Sequence, residues 1–230
     1  MHSDFFKSIN LISLFVLASL SAKSQGSGSW NILNAKFKLN QKWSAFGEAQ
    51  LRSLQFYTDY NYHEFKGGIN FHPQKAIVFT LAGGKYDTYG EGGDFVLPKN
   101  RSEIRLWPQI QVTQQINTFK IENRFRTEFR FSPSGYRNRF RNRIGVIYPL
   151  LKNKEGKNLI AIGAYNELFF TNLAPYFERN RASFNLNFKV AKHSTILLGY
   201  LIQFDYKIND ETGKNFLQIG YYHEFLRKKK

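Results

Sequence analysis

Between Thr118 and Phe131 the chain deals out two kinds of side chain with a period of two. Phe119, Ile121, Asn123, Phe125, Thr127, Phe129 and Phe131 fall on one side, and Lys120, Glu122, Arg124, Arg126, Glu128 and Arg130 on the other. Only an extended strand keeps these sets apart, because successive side chains leave it on opposite faces, whereas a helix would mix them. The same split recurs. Phe140, Ile144, Val146 and Tyr148 oppose Arg139, Arg141 and Arg143. Ala182, Phe184, Leu186 and Phe188 oppose Arg181, Ser183, Asn185, Asn187 and Lys189, and Ile104, Leu106, Ile110 and Val112 oppose Glu103, Arg105, Gln109 and Gln111. Ile196, Leu198, Tyr200, Ile202, Phe204 and Tyr206 oppose the smaller or more polar Gly199, Gln203 and Asp205. Weaker alternation marks Trp43 to Leu54, Tyr60 to Phe71, Ala76 to Tyr86, Leu159 to Phe170 and Phe216 to Phe225; with Trp30 to Leu39 the strand-like segments number eleven.

Several segments run to a dozen residues, whereas strands of soluble proteins most often have about five or six and tilted strands crossing a bilayer need about 9–11. The connections alternate too. Asn40 to Lys42, His72 to Lys75, Gln115 to Asn117 and Ala191 to Ser194 are tight and Lys152 to Asn158 is moderately short, while Gln55 to Asp59, Tyr86 to Asn100, Ser132 to Arg137, Thr171 to Phe177 and Lys207 to Lys214 read as looser. Short turns at one end and longer loops at the other describe an outer-membrane barrel with its short side in the periplasm. Since bacterial single-chain barrels have even strand numbers, eleven segments imply that one is not a wall strand, with Trp30 to Leu39 the candidate, or that a division is hidden. The expectation is therefore an all-β, antiparallel up-and-down transmembrane β-barrel of ten to twelve strands.

Composition agrees with a large apolar surface: aromatics make up 17% of 230 residues, with 23 Phe and 13 Tyr. Lys and Arg number 33 against 17 Asp and Glu, a formal charge of +16. A basic chain suits nucleic acid, an anionic surface or an acidic ligand. Here the charges alternate with Phe along strands rather than forming a patch, which argues against nucleic acid. There is no cysteine, so disulfides and thiolate metal sites are excluded. Lys7, the apolar run Ile9 to Leu20, and Ala22 and Ser24 form a secretory leader, too short in its apolar run for a spanning helix. Residues 1–24 are thus expected to be a cleaved signal peptide, and residues 25–230 a single outer-membrane barrel domain. Removing Asp4, Lys7 and Lys23 with the leader lowers the charge only from +16 to +15. No later segment is apolar over a helix-spanning length, so a membrane crossing would require a closed barrel, which satisfies every backbone hydrogen bond. The alternative is a secreted soluble β-sandwich or small ligand-binding barrel, with core against solvent setting the alternation.

Trp30, Glu48 with Arg52, Glu103-Ile104-Arg105, the run Glu122-Asn123-Arg124-Phe125-Arg126-Thr127-Glu128-Phe129-Arg130, Arg139-Phe140-Arg141, Tyr165-Asn166-Glu167, Asn180-Arg181 and Gly199-Tyr200 follow one another in an order and spacing that resembles an uncharacterised family of outer-membrane barrels, domain of unknown function 2490. The resemblance covers nearly the whole mature chain. It implies a barrel and an outer-membrane address, and it brings no activity with it.

If the Phe rows face lipid, the lumen receives Arg101, Arg105, Lys120, Arg124, Arg126, Arg130, Arg137, Arg139, Arg141, Arg143, Arg181 and Lys189, opposed by Glu103, Glu122, Glu128 and Glu167. One reading is an interior ion-pair lattice that fills and stiffens a narrow barrel. The other is a basic passage or pocket for an anion, because Arg exceeds carboxylate on these strands. An outer-membrane lipid hydrolase would need a Ser, a His and a polar third residue on the lipid side. The outward polar residues are Asn123, Thr127, Asn142 and Asn166 with His63 and His223; neither histidine has a serine beside it on its own strand, and His193-Ser194 falls in a turn. No enzyme activity is therefore expected. Asp87, Glu91 and Asp94 could gather calcium in a glycine-rich loop, though their spacing matches no established loop. Gly26-Ser27-Gly28-Ser29 reads as a flexible mature terminus, since it lacks the Lys and the helix of a phosphate loop. No cofactor or metal is expected. The partners implied are outer-membrane lipid and the barrel-assembly machinery, with the latter's aromatic terminal signal displaced inward to Phe225. Trp43, Tyr148, Tyr200, Tyr206 and Tyr221 are the candidates for interfacial belts. Nothing in the pattern specifies an oligomeric state.

Overall fold

A computed structural model describes residues 27–206 and 212–226; the leader 1–24, most of the loop from Lys207 to Lys214, and the basic end 227–230 lie outside the described residues. Eleven strands follow one another: β1 Gly28–Lys38, β2 Trp43–Gln55, β3 Thr58–Gln74, β4 Ile77–Gly90, β5 Val96–Ile116, β6 Phe119–Ser132, β7 Gly135–Lys152, β8 Asn158–Thr171, β9 Phe177–Ala191, β10 Ser194–Asp205 and β11 Thr212–Leu226. Each strand pairs with its sequence neighbours, and β1 pairs with β11, so the sheet closes into one barrel. A two-sheet sandwich is not the arrangement. The shortest strand has 11 residues and the longest 21.

The even count expected from bacterial precedent does not hold. Trp30 to Leu39 is a wall strand: Trp30 opposes Arg52 on β2 and Gln218 on β11. In an up-and-down barrel with an odd number of strands the first and last must run the same way, and β1 and β11 pair in parallel from Gly28↔Phe216 to Lys38↔Leu226. Gly28 and Ser29 belong to this strand rather than to a flexible terminus. Ser29 Oγ lies 2.6 Å from Ser53 Oγ, and both residues are buried.

The turns at one rim are short, as expected. Asn40 Oδ1 accepts from the Lys42 and Trp43 backbone N–H groups at 2.8 and 2.9 Å, which closes the β1–β2 turn. Asn117, at φ 52°, turns β5 into β6 in a conformation asparagine tolerates. The other rim differs from expectation, because strands continue where loops were read. The segment from Gln55 to Asp59 reduces to a turn at Phe56 and Tyr57, that from Ser132 to Arg137 to Pro133 and Ser134, and that from Tyr86 to Asn100 to residues 91–95. Three register shifts accompany this rim, at Arg52/Ser53, Thr88/Gly90 and Phe169/Phe170. The β4–β5 hairpin projects and folds inward: Asp94 Oδ1 accepts from Tyr60 N at 2.8 Å, Asp59 Oδ1 accepts from Gly93 N at 3.2 Å, and Glu91 reaches Lys214 of β11 at 3.2 Å.

The period-two pattern sorts the faces. Phe125 (53% exposed), Ile144 (49%), Phe184 (56%) and Leu198 (44%) look outward, while Glu128 (0%), Arg130 (1%) and Trp107 (1%) are enclosed. What passes for a core is therefore the barrel interior, built mostly from charged, amide and aromatic side chains.

Candidate functional site

On the inner wall of β5 to β9 the buried charges interlock. Glu103 accepts from Arg105 Nε at 2.9 Å and from Arg130 Nη2 at 2.7 Å. Arg130 approaches Glu178 at 3.5 Å, and Glu178 takes both arms of Arg139. Glu128 is the hub: Arg141 lies 2.5 Å away, Arg126 3.5 Å, Arg139 3.6 Å and Arg105 3.8 Å. Arg141 continues to Glu167 through Nη2 at 2.9 Å and Nε at 3.1 Å, and Glu167 meets Arg124 at 2.5 Å. Toward the short-turn rim Glu122 pairs with Lys120 at 2.7 Å and stands 3.9 Å from Arg143. Four of these pairs, Arg105–Glu103, Arg130–Glu103, Arg139–Glu178 and Arg141–Glu167, use two guanidinium nitrogens, the geometry in which guanidinium and carboxylate match best away from water. The stems and planes of these arginines also rest on aromatic rings, Arg105 on Tyr86 at 3.8 Å, Arg126 on Trp107 at 4.9 Å, Arg141 on Phe169 at 4.6 Å and Arg143 on Tyr165 at 4.9 Å.

Alternation follows directly from the strand, so Arg105, Arg124, Arg126, Arg130, Arg139, Arg141, Arg143 and Arg181 all lie on one side of the wall with Glu103, Glu122, Glu128 and Glu167. Arg181 stands apart from the lattice. Its Nε donates to the neutral Gln203 Oε1 at 2.8 Å, and no carboxylate lies within 4.0 Å of it among the described residues.

Sequence reasoning missed a second set. Glu178 and Arg179 are adjacent, and strict alternation would send one of them outward; the register shift at Phe169/Phe170 lets both serve the lumen, where Arg179 pairs with Asp205. Across the barrel, Lys66 bridges Glu48 at 2.6 Å and Glu64 at 2.5 Å, and Tyr62 donates to Glu64. The clue was available in the spacing Glu48, Gln50, Arg52, where the intervening Ala49 and Leu51 are apolar.

Between the two sets remains a cavity of about 820 Å³. It is lined from Lys36 and His72 at the short-turn rim to Arg101 and Lys214 at the loop rim. At the loop rim a wider mouth of about 1280 Å³ opens among Gln55, Glu91, Arg137, Pro175 and Asp205. Among the described residues several buried polar atoms make no hydrogen bond, including Arg52 Nε, Arg124 Nε and Arg130 Nη1.

Two expectations need correction on the outer face, Ser194 as a turn residue and Tyr200 as an edge residue, and the acidic residues of the glycine-rich loop can be placed as well. Ser194 does sit beside a histidine, across strands instead of along one: it is the register partner of His223, and its Oγ lies 2.9 Å from His223 Nδ1 and 3.1 Å from Tyr221 Oη. The serine is 5% exposed, and among the described residues no carboxylate or amide side chain bonds the other nitrogen of His223, so the pair lacks the third residue a hydrolase needs. Asp87, Glu91 and Asp94 do not converge. Asp87 accepts from Ser102 at 2.6 Å and Lys99 at 3.0 Å, Asp94 caps Tyr60, and Glu91 meets Lys214. Tyr200, opposite Leu217 and Phe184, falls at mid-strand and not at an edge.

No curated protein and no solved structure matches this chain. A family profile matches residues 27–214, from just before β1 into the beginning of β11. It thus takes in the whole charged wall, and the chain belongs to the family described as Protein of unknown function (DUF2490).

Proposed function

We propose that this protein is an outer-membrane barrel of a Gram-negative cell, exported by the leader in residues 1–24, which spans the bilayer as a rigid wall and performs no catalysis. The supporting observation is the closed outer surface. Every strand reaches or exceeds the roughly 9–11 residues a crossing needs, and the outward rows are apolar. Aromatic pairs gather near both rims: Phe37 on Phe225 at 4.9 Å, Trp43 on Phe71 at 4.8 Å and Phe119 on Tyr148 at 5.2 Å at the short-turn end, then Phe131 with Tyr136 at 5.1 Å and Phe177 with Tyr206 at 6.1 Å at the loop end. Two girdles around an apolar band are the signature of a bilayer-spanning barrel. The outward amides also satisfy one another, Asn142 with Asn123 at 2.9 Å and Asn166 with Asn180 at 3.2 Å, as a surface without water requires. In this reading outer-membrane lipid is the partner of the wall, and the assembly machinery inserts it.

Inside, the Arg and Glu lattice braces the wall. The test is expression of the full chain in a Gram-negative host followed by membrane fractionation. Recovery in the outer membrane after alkaline extraction, with gel mobility that changes on boiling, is expected; recovery in the soluble periplasmic fraction would overturn the proposal. The cavity that reaches both rims supports a second reading, a narrow route for anions. Planar-bilayer recordings decide it, since absent conductance or cation preference would remove it.

A further inference from the structure

Arg105, Arg130, Arg139 and Arg141 each meet a carboxylate through two nitrogens, but the guanidiniums of Arg52 and Arg181 do not. Arg52 reaches Glu64 through a single nitrogen at 3.5 Å and the neutral Gln50 at 3.3 Å, and its Nε is buried without a partner. Among the described residues Arg181 hydrogen-bonds only to Gln203. Both lean on one indole: the Arg52 guanidinium carbon is 3.4 Å from the centre of the Trp30 ring and that of Arg181 is 5.0 Å away. The indole is itself fixed, because its Nε1 donates to Gln50 at 2.8 Å. Two cations sharing a ring with so little carboxylate nearby repel each other, and a buried charge without a counterion is costly. The missing element is an anion.

The surroundings say which kind. Trp30 packs with Leu201 and Phe216, with Ile32 against them, and these four line the same cavity. Phe169 extends the apolar strip, 4.9 Å from Arg181. A second aromatic cluster, Tyr86 and Trp107 with Phe46 and Tyr62, also lines the cavity, but the guanidiniums over Tyr86 and Trp107 belong to Arg105 and Arg126, which face Glu103 and Glu128. The Trp30 strip is where apolar surface adjoins an arginine, Arg181, with no carboxylate within 4.0 Å among the described residues. The volume falls in the range of about 300–1,000 Å³ typical of small-molecule sites. We infer that the lumen holds an amphipathic organic acid, its carboxylate between Arg52 and Arg181 and its aromatic or aliphatic body on Trp30, Leu201, Phe216 and Ile32. The inference rests on the lumen described under the proposed function, and not on the surrounding membrane.

The barrel, refolded in detergent, is titrated calorimetrically with 2-naphthoate, with 2-naphthalenemethanol as the same body without the charge, and with inorganic phosphate as charge without the body. Saturable one-to-one binding of 2-naphthoate is expected, with the alcohol and phosphate each weaker by about tenfold or more, since either loses one half of the contact. Arg181→Gln and Arg52→Gln should each weaken 2-naphthoate by about tenfold or more, the loss of one charge-assisted hydrogen bond. Leu201→Asn should weaken it as well, while Lys120→Gln at the short-turn rim should leave it unchanged. Circular dichroism of each variant secures the fold. Equal binding of phosphate, equal loss in Lys120→Gln and Arg181→Gln, binding of the alcohol as tight as that of the acid, or no binding to a folded barrel would each overturn the inference. Because the titration needs only a folded barrel, it stands apart from the fractionation test: a periplasmic protein that still binds would sink the membrane reading alone.

Discussion

Replacing Glu128 by glutamine removes one negative charge from a place where four guanidiniums converge and leaves the shape nearly intact. The carboxylate stands 2.5, 3.5, 3.6 and 3.8 Å from Arg141, Arg126, Arg139 and Arg105 and is 0% exposed. At an effective dielectric constant near 20, a pair at about 4 Å is worth roughly 4 kcal/mol, so the gross attraction is on the order of 15 kcal/mol. Much of it is offset by the several kcal/mol needed to strip water from the carboxylate. The net cost of orphaning the arginines should therefore be about 3–5 kcal/mol. With a urea dependence of about 1–3 kcal/mol per molar, the unfolding midpoint in detergent or lipid vesicles should fall by roughly 1–5 M. The companion variant fixes the cause. Arg141→Gln removes one of the four cations, so in the double variant it should restore part of what Glu128→Gln loses, with a coupling of about 0.5–3 kcal/mol. An unchanged midpoint in Glu128→Gln, or strictly additive effects in the pair, would refute the lattice as a source of rigidity.

Three further substitutions probe wall and lumen. Asn142→Leu leaves the Asn123 amide without its partner and should cost about 1–3 kcal/mol in vesicles; the double variant Asn123→Leu/Asn142→Leu should recover most of it, and failure to recover would speak against a dry outer face. Phe125→Lys, at the middle of the outward row of β6, should cost about 2–4 kcal/mol in a bilayer, measured by reversible folding into vesicles; a change near zero would point to water at that surface. Gly145→Val should destabilise by about 1–3 kcal/mol through overpacking, because the Tyr165 ring lies directly over Gly145 where any Cβ would intrude; a neutral outcome in denaturant melts would contradict the interior placement of that ring.

The wall was readable because lumen and exterior differ so sharply in chemistry: Phe119 to Phe131 cannot be assigned to a face in any other way. The eight arginines and four glutamates follow from that one rule. What escaped it were the places where the period of two breaks. Glu178 and Arg179 share the interior only through the shift at Phe169/Phe170. The pairing of Ser194 with His223 is a cross-strand register that no single strand reveals. The parallel closure of β1 on β11 was hidden for the same reason, since strand parity constrains direction only once all eleven segments are accepted as wall. The loops were overestimated because Gly90, Gly92 and Gly93 and the polar residues around Asp94 mark a turn without marking how far the flanking strands run beyond the band. The weakly paired arginines on Trp30 were invisible, because only the three-dimensional register sets Arg52 and Arg181 on one indole.

The central claim is that lipid touches the phenylalanine rows. The chain has no native cysteine, so single cysteines placed at each position from Phe119 to Phe131 can carry a nitroxide probe in reconstituted vesicles without background. Accessibility to oxygen, which concentrates in the bilayer, should peak at Phe119, Ile121, Asn123, Phe125, Thr127, Phe129 and Phe131 and fall at every position between. Oxygen accessibility without a period of two, or high accessibility of the odd positions to a water-soluble nickel reagent, would contradict the account.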